Sequence, residues 1–148
     1  MMFFFVGLKL ILVLSKWTIA ILKCVKLYLR GDNMLDITME FRKGLLFVRL
    51  NGVLNKTTID KLNNEVTDLI KDNGIKNIVF NIDGLTSIDL KGINSLLYNY
   101  ELCKMNDGKA MLCGINNSRV RYRINNSRLL NYMYEVSDEL SAINMIGM

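Results

Sequence analysis

The hydrophobic and polar positions of residues 34–148 alternate between the period of a strand and that of a helix. Residues 36–41 and 45–50 flank the turn-forming residues 42–44, so they predict a pair of strands joined by a short turn. Asn51 and Gly52 are expected to break the second strand, because both residue types favour turns.

A helix is predicted to begin at Thr57, because Asp60 three residues later completes a capping-box arrangement. Gly74, preceded by Asn73, is expected to end this helix, since glycine readily adopts the left-handed conformation of a C-cap. The apolar positions between them recur at helical spacing: Ile59, Leu62, Val66, Leu69 and Ile70.

The apolar run at residues 75–82 predicts a central strand that is buried on both faces, as in a parallel sheet. The polar stretch that follows it, from Asp83 to the start of the next helix, is expected to be a loop. Asp107 and Gly108 are expected to stop that helix. Its apolar positions have helical spacing: Ile93, Leu96, Leu97 and Tyr100.

Four further elements complete the pattern. Residues 109–113 predict a strand, residues 118–126 a helix and residues 132–136 a short strand. Ser137 is expected to cap a last helix, with two acidic residues directly after it, where the helix dipole favours negative charge. Strands that alternate with helices in this way indicate a layered α/β domain with helices packed on a sheet.

The stretch from Asp83 to Ile93 is the strongest candidate for a functional surface. A loop that leads into a helix presents unpaired backbone N–H groups and the positive end of the helix dipole, and here Asp89 and Lys91 stand at that point. The chain has no histidine, so the usual general base is absent, and no phosphate-binding glycine loop is present. The sequence therefore indicates a binding protein and not an enzyme.

The charge of the chain is unevenly distributed. Of the formal net charge of +5, residues 1–33 supply five basic side chains and one acidic side chain, whereas residues 34–148 carry 14 basic and 13 acidic side chains. Because this main part of the chain is nearly neutral, nucleic acid is not the expected partner. The arginines between residues 119 and 128 are interpreted as a solvated helix face that could contact an acidic partner.

The three cysteines, Cys24, Cys103 and Cys113, form no CxxC pair and have no histidine to join them. No metal site and no cofactor are therefore predicted. A sparse, odd number of cysteines is typical of proteins in a reducing compartment. Cys103 and Cys113 are expected to be small buried side chains of the core.

Residues 1–33 are predicted to be a hydrophobic and basic segment distinct from the domain at residues 34–148. One interpretation is a start site assigned too early. Residues 30–33 can be encoded by a purine-rich stretch that resembles a bacterial ribosome-binding site, and Met34 would then be the true start.

The other interpretation is a membrane-associating helix. Lys9, Lys16, Lys23 and Arg30 are seven residues apart and form one basic stripe on a helix. Such a helix can lie in the membrane interface with its charges hydrated, whereas a spanning helix is marginal because internal lysines offset the apolar residues. A cleaved signal peptide is not expected, since charges interrupt the apolar run.

Three segments of the main part of the chain form a recognisable series: residues 50–55 read LNGVLN, residues 77–89 end in aspartate, and residues 108–114 begin and end with glycine. They resemble, in this order, the L-x-G-x-L-D segment, the strand-and-loop signature and the glycine-strand segment of the STAS domain, the fold of anti-sigma factor antagonists and of the cytoplasmic tails of sulphate transporters. The resemblance covers residues 36–145. It implies an α/β layered fold with a mixed sheet of about five strands and helices packed on it.

In the bacterial antagonists the matching loop reads D-S-S-G, and its second serine is phosphorylated by the anti-sigma factor, which is also a kinase. Residues 89–92 read D-L-K-G here, so Lys91 occupies the phosphoacceptor position and cannot be phosphorylated as serine is. Asn55 replaces a usual aspartate near the same surface. The resemblance implies a partner-binding surface of seven residues: Asn55, Thr86, Ser87, Asp89, Leu90, Lys91 and Gly92.

Three of these residues also have a simpler interpretation, since Asp89 can cap the helix, Lys91 can be a solvated surface side chain and Gly92 can allow close packing. The function implied is that of a non-enzymatic module of the bacterial cytoplasm. It would bind an anti-sigma factor of the kinase-like ATPase family and so release a sigma factor for transcription. The alternative is a membrane-linked STAS adaptor of a transport or lipid-handling complex. A membrane is an expected partner only if residues 1–30 are translated.

Overall fold

The structure is a computed structural model that describes residues 34–146. The two interpretations of residues 1–33 concern a segment outside these residues and stay predictions. Between residues 34 and 146, no helix is both long enough and apolar enough to cross a membrane.

Five strands form one mixed sheet in the order β1-β2-β3-β4-β5. β1 runs antiparallel to β2, and each later strand runs parallel to its neighbour. The prediction of a mixed α/β sheet of about five strands is confirmed. The bounds of the strands are Leu35–Arg42 (β1), Leu45–Leu54 (β2), Asn77–Ile88 (β3), Ala110–Cys113 (β4) and Tyr134–Val136 (β5).

Helical segments connect the parallel strands, as crossover connections require. The first connection is continuous: a short α-helix passes through a π-helical stretch, Asn63–Thr67, into a second α-helix. It ends at Gly74, whose φ of 61° is left-handed, as predicted. The α-helices are Ile59–Leu62 (α1), Asp68–Asn73 (α2), Leu90–Met105 (α3), Ser118–Asn125 (α4), Leu129–Tyr132 (α5) and Glu139–Ile146 (α6).

The sheet buries both of its faces. Phe80 faces the main core, which helices α1 to α5 cover, whereas its neighbour Val79 faces a smaller cluster with Ala142 of α6. Both β3 side chains are fully buried, so the predicted burial of the central strand on both faces is confirmed. Because alternate residues of a strand point to opposite faces, a strand that is buried on both faces needs a continuous apolar run.

A buried polar cluster joins the π-helical stretch to α3. Asn99 is fully buried, and its amide Nδ2 donates to the backbone oxygen of Ser95 at 2.8 Å. The hydroxyl of Thr67 donates to Asn99 Oδ1, also at 2.8 Å. Since an unpaired polar group in the core is costly, these bonds specify how the two helical segments pack.

An ion pair attaches α6 to the other face of the sheet. Arg49 donates from Nε and Nη2 to the two carboxylate oxygens of Glu139, at 2.8 and 2.7 Å. Asn81 Nδ2 donates to the same carboxylate at 2.7 Å. These bonds, from Arg49 above all, lower the pKa of Glu139 below its usual value.

β2 and β3 extend further than predicted. Asn51 and Gly52 do not break β2, because a bulge keeps them in the strand. Gly52 has a φ of 111°, and a Cβ there would lie 2.2 Å from the oxygen of Met34, so the close approach requires glycine. Beside this extension, β3 continues to Ile88. The prediction of a loop from Asp83 was therefore wrong for residues 83–88.

The predicted helix starts were also shifted. Thr57 and Asp60 form no capping box: α1 begins at Ile59 and has no side-chain cap hydrogen bond. Ser137 does not cap α6, because Asp138 accepts the hydrogen bond from Ser141 N at 2.8 Å. The last strand is shorter than the predicted 132–136, since α5 occupies Tyr132. The predicted helix at residues 118–126 is confirmed within one residue.

Candidate functional site

The ends of β2 and β3 bring together the predicted site residues from two parts of the chain. Leu54 pairs with Ile88 in the parallel register, so Asn55 and Asp89, which follow them, lie at the same edge of the sheet. Asp89 N donates to the backbone oxygen of Leu54 at 3.2 Å. The site therefore rests on paired strands and not on a free loop.

Asp89 connects both strand ends to α3. Its Oδ1 accepts a hydrogen bond from Gly92 N at 2.8 Å, and its Oδ2 accepts one from Lys56 N at 3.2 Å. The carboxylate is thus the N-cap of α3, a role worth about 1 kcal/mol. The structural interpretation of Asp89 is confirmed, and both of its oxygens are engaged by backbone N–H groups.

Asn55 shapes the turn between β2 and α1. Its Oδ1 accepts from the backbone N and the hydroxyl of Thr57, at 2.9 and 2.6 Å. Its own N donates to the hydroxyl of Thr58, which in turn donates to the oxygen of Val53 at 2.8 Å. Local side-chain bonds of this kind are typical of asparagine and threonine in turns. They replace the predicted capping box.

The first turn of α3 presents two side chains outward and packs one residue inward. Leu90 is 66% exposed, and Lys91 is exposed beside it. Gly92 is buried: a Cβ on it would lie 2.5 Å from the oxygen of Leu54. The predicted close packing at Gly92 is confirmed, and it holds the helix start against β2.

The hydroxyl residues before Asp89 alternate as strand residues do. Thr86 is exposed, and its hydroxyl donates to the backbone oxygen of Gly52 at 3.0 Å. Ser87 is half-buried and faces a groove. Ser95, further along α3, is only 8% exposed and bonds to Asn63, so its hydroxyl faces the protein interior.

α4 forms one wall of the site, although no residue of α4 was among the predicted site residues. A groove of about 690 Å³ has Asn55, Ser87 and Asp89 on one side and α4 on the other. The α4 side chains that line it are Ser118, Arg119, Tyr122 and Arg123. The spacing of Arg119 and Arg123, one helical turn apart, is the sequence signal that could have indicated a shared face.

The described residues offer little for metal or redox chemistry. Within residues 34–146, no group of three histidine, cysteine or acidic side chains lies close enough to hold a metal ion. Burial raises the pKa of both Cys103 and Cys113 to about 12, so these thiols stay protonated. Their predicted burial is confirmed.

Comparison with known proteins agrees with this architecture. The model of the STAS domain family matches residues 36–142. An anti-sigma F factor antagonist of Paenibacillus polymyxa is 30% identical over 82 residues, which cover 55% of this chain and 70% of that relative.

Solved structures share the fold at lower identity. An anti-sigma factor antagonist from Mycobacterium paratuberculosis superposes with a TM-score of 0.69 at 15% identity, covering 78% of this chain and 96% of that one. The phosphorylated form of the Bacillus cell fate determinant SpoIIAA gives a TM-score of 0.59 at 19% identity, over 75% and 99% of the two chains. The protein thus belongs to the STAS domain family, and its domain is of the type found in anti-sigma factor antagonists.

Proposed function

We propose that this protein binds an anti-sigma factor and thereby releases a sigma factor for transcription. The name of the Paenibacillus polymyxa relative, an anti-sigma F factor antagonist, supports this partner class. We extend the proposal to an anti-sigma factor of the kinase-like ATPase family, the class that the family resemblance implies. No enzymatic step is required, since the STAS proteins of this type act by binding.

The contact surface in this proposal is formed by Asn55, Thr86, Ser87 and residues 89–92. The observation that carries it is the exposed leucine at the first turn of α3. Leu90 is 66% exposed on a helix start that Asp89 and Gly92 hold in place, so the apolar side chain is presented by a rigid support. An exposed apolar side chain gains free energy when a partner removes it from water, and binding energy at interfaces is concentrated in a few side chains.

A calorimetric titration with purified anti-sigma F factor of Paenibacillus polymyxa tests the proposal. We expect the wild-type protein to bind it and Leu90→Asp to bind at least about tenfold more weakly. Met105→Asp is the matched control, because Met105 is an equally apolar, 79% exposed residue at the other end of α3. Absence of a wild-type complex, or an equal loss in both variants, would contradict the proposal.

The second part of the proposal is that phosphorylation of this protein does not regulate its binding to the anti-sigma factor. A phosphoserine would place about −1.5 to −2 charges at the start of α3, whereas Lys91 places a permanent positive charge there. An ammonium group cannot form the phosphate ester that a serine hydroxyl forms. ATP and a non-hydrolysable ATP analogue should therefore have the same effect on the affinity for the anti-sigma factor.

Intact-mass spectrometry after incubation with the anti-sigma factor, ATP and Mg²⁺ tests this second part. We expect no phosphate on the wild-type protein and one phosphate on Lys91→Ser, mapped to the substituted position by peptide sequencing. Phosphate on wild-type Thr86 or Ser87, together with weakened binding, would show that the switch persists on a neighbouring hydroxyl.

A further inference from the structure

A continuous groove runs between the N-terminal half of α3 and α4, and we call it the α3–α4 groove. It consists of two adjoining concavities of about 510 and 690 Å³ that share Tyr122 and Arg123 as lining residues. Leu90 lines the first concavity, and Asp89 lines the second. The groove thus reaches from the proposed contact surface along α4.

The groove has an apolar part that is open to solvent. Leu90 and Tyr122 both line the first concavity, and they are 66% and 68% exposed. Exposed apolar side chains that lie together in a concave surface, with polar residues around them, mark sites of protein interaction.

The net charge around this apolar part is positive. Arg121 is paired with Glu135, at 2.6 Å between Nη2 and Oε2, and this pair lowers the pKa of Glu135. Arg119, Arg123 and Arg128 are exposed, line the groove, and make no ion pair with any described residue.

A carboxylate in the groove lining carries one negative charge, but it makes no ion pair with these three arginines. It belongs to Asp89, whose two oxygens accept hydrogen bonds from Gly92 N and Lys56 N. Three guanidinium groups are therefore left to pair with acceptors outside the described chain. Guanidinium groups recognise carboxylates through paired hydrogen bonds, which add orientation as well as attraction.

We propose that the α3–α4 groove seats an acidic segment of a partner protein. Carboxylates of that segment pair with Arg119, Arg123 and Arg128, and an apolar side chain of the segment packs on Leu90 and Tyr122. A protein segment is favoured over nucleic acid because residues 34–148 are nearly neutral in sum and the groove offers one exposed aromatic ring, not a stacking platform. The assignment of this segment to an anti-sigma factor rests on the proposed function.

An NMR titration of the full chain with a synthetic peptide of alternating glutamate and leucine tests the groove without reference to the natural partner. We expect amide shifts concentrated in the first turn of α3 and in α4. The double variant R119E/R123E should bind the peptide about tenfold more weakly, and the conservative R119Q/R123Q should be intermediate. A peptide with glutamine in place of glutamate should bind more weakly to the wild type.

The matched control is K43E/K76E, which changes the net charge by the same amount. Lys43 and Lys76 are exposed and lie at the opposite edge of the sheet, before β2 and β3 begin. Binding of the peptide by K43E/K76E should equal that of wild type. Equal loss in the two double variants, or shifts scattered over all basic surfaces, would overturn the proposal, as would tighter binding of a single-stranded oligonucleotide to the same residues.

These experiments distinguish a failure of the acidic-segment inference from a failure of the proposed function. If the anti-sigma F factor binds wild type and R119E/R123E with the same affinity and salt dependence, the acidic-segment inference is wrong and the proposed function stands. If the peptide binds the groove as expected while the anti-sigma factor does not bind, the proposed partner is wrong and the groove assignment stands.

Discussion

Replacing Gly92 by alanine probes the contact that holds the start of α3 against β2. The added methyl carbon would lie 2.5 Å from the backbone oxygen of Leu54 and 2.9 Å from Cγ1 of Ile88. Backbone at the end of a paired strand cannot rotate away as a flexible side chain can. The helix start must therefore move outward by about half an ångström to reach even a tight contact.

Two opposing effects set the size of the change. Overpacking a well-ordered site costs about 1–3 kcal/mol. Alanine is a better helix former than glycine by about 0.5–1 kcal/mol, which offsets part of that cost. The movement also lengthens the 3.2 Å hydrogen bond from Asp89 N to the oxygen of Leu54. We expect a net loss of about 1–2 kcal/mol in the free energy of unfolding.

Thermal and urea unfolding of Gly92→Ala measure this loss, which corresponds to a fall in Tm of about 4–8 °C for a domain of this size. Asn94→Ala is the control, because Asn94 is exposed in the same helix and reports the effect of alanine without the contact. That variant should be as stable as wild type or slightly more stable. A Gly92→Ala protein of unchanged or greater stability would refute the reasoning.

Three further predictions concern the rest of the fold. Glu139→Gln should lower the free energy of unfolding by about 1 kcal/mol by weakening the bonds from Arg49. Because the pKa of Glu139 is depressed in the folded state, this difference should be fully present above the ordinary value of 4.5, shrink as the pH falls below that value, and disappear only once the pH has fallen through the lower pKa of the folded state, as pH-dependent urea unfolding would show. Cys103 and Cys113 should resist alkylation at pH 8 in the folded protein and react in urea, as mapped by peptide mass spectrometry; labelling of the folded protein would contradict their burial and raised pKa. Asn99→Ala should cost about 2–3 kcal/mol in urea unfolding, because it removes two buried hydrogen bonds of 2.8 Å, and a loss below 1 kcal/mol would mean that the cluster does not specify the packing.

Local patterns in the sequence predicted the five strands and the longer helices in their order, but not the short helix α5. The apolar period of α3, the left-handed Gly74 and the cap formed by Asp89 are each decided within a few residues. Such features depend on hydrogen bonds and side-chain contacts between near neighbours in the chain, which a sequence displays directly. The same holds for the central strand, since burial on both faces requires a continuous apolar run.

Contacts between distant segments decided the remaining features. Residues 83–88 are polar enough to predict a loop, yet they form a strand because the bulged end of β2 offers them a partner. The wall that α4 adds to the site depends on where the chain returns after β4, and no local signal places Arg119 beside Asn55. The type of most elements could be predicted from the sequence, because helical bonds and caps are local and because the period of the apolar residues records which faces are buried. The extent of β3 and the set of side chains that share the groove could not be predicted, because they depend on pairing and packing between segments that are distant in the chain.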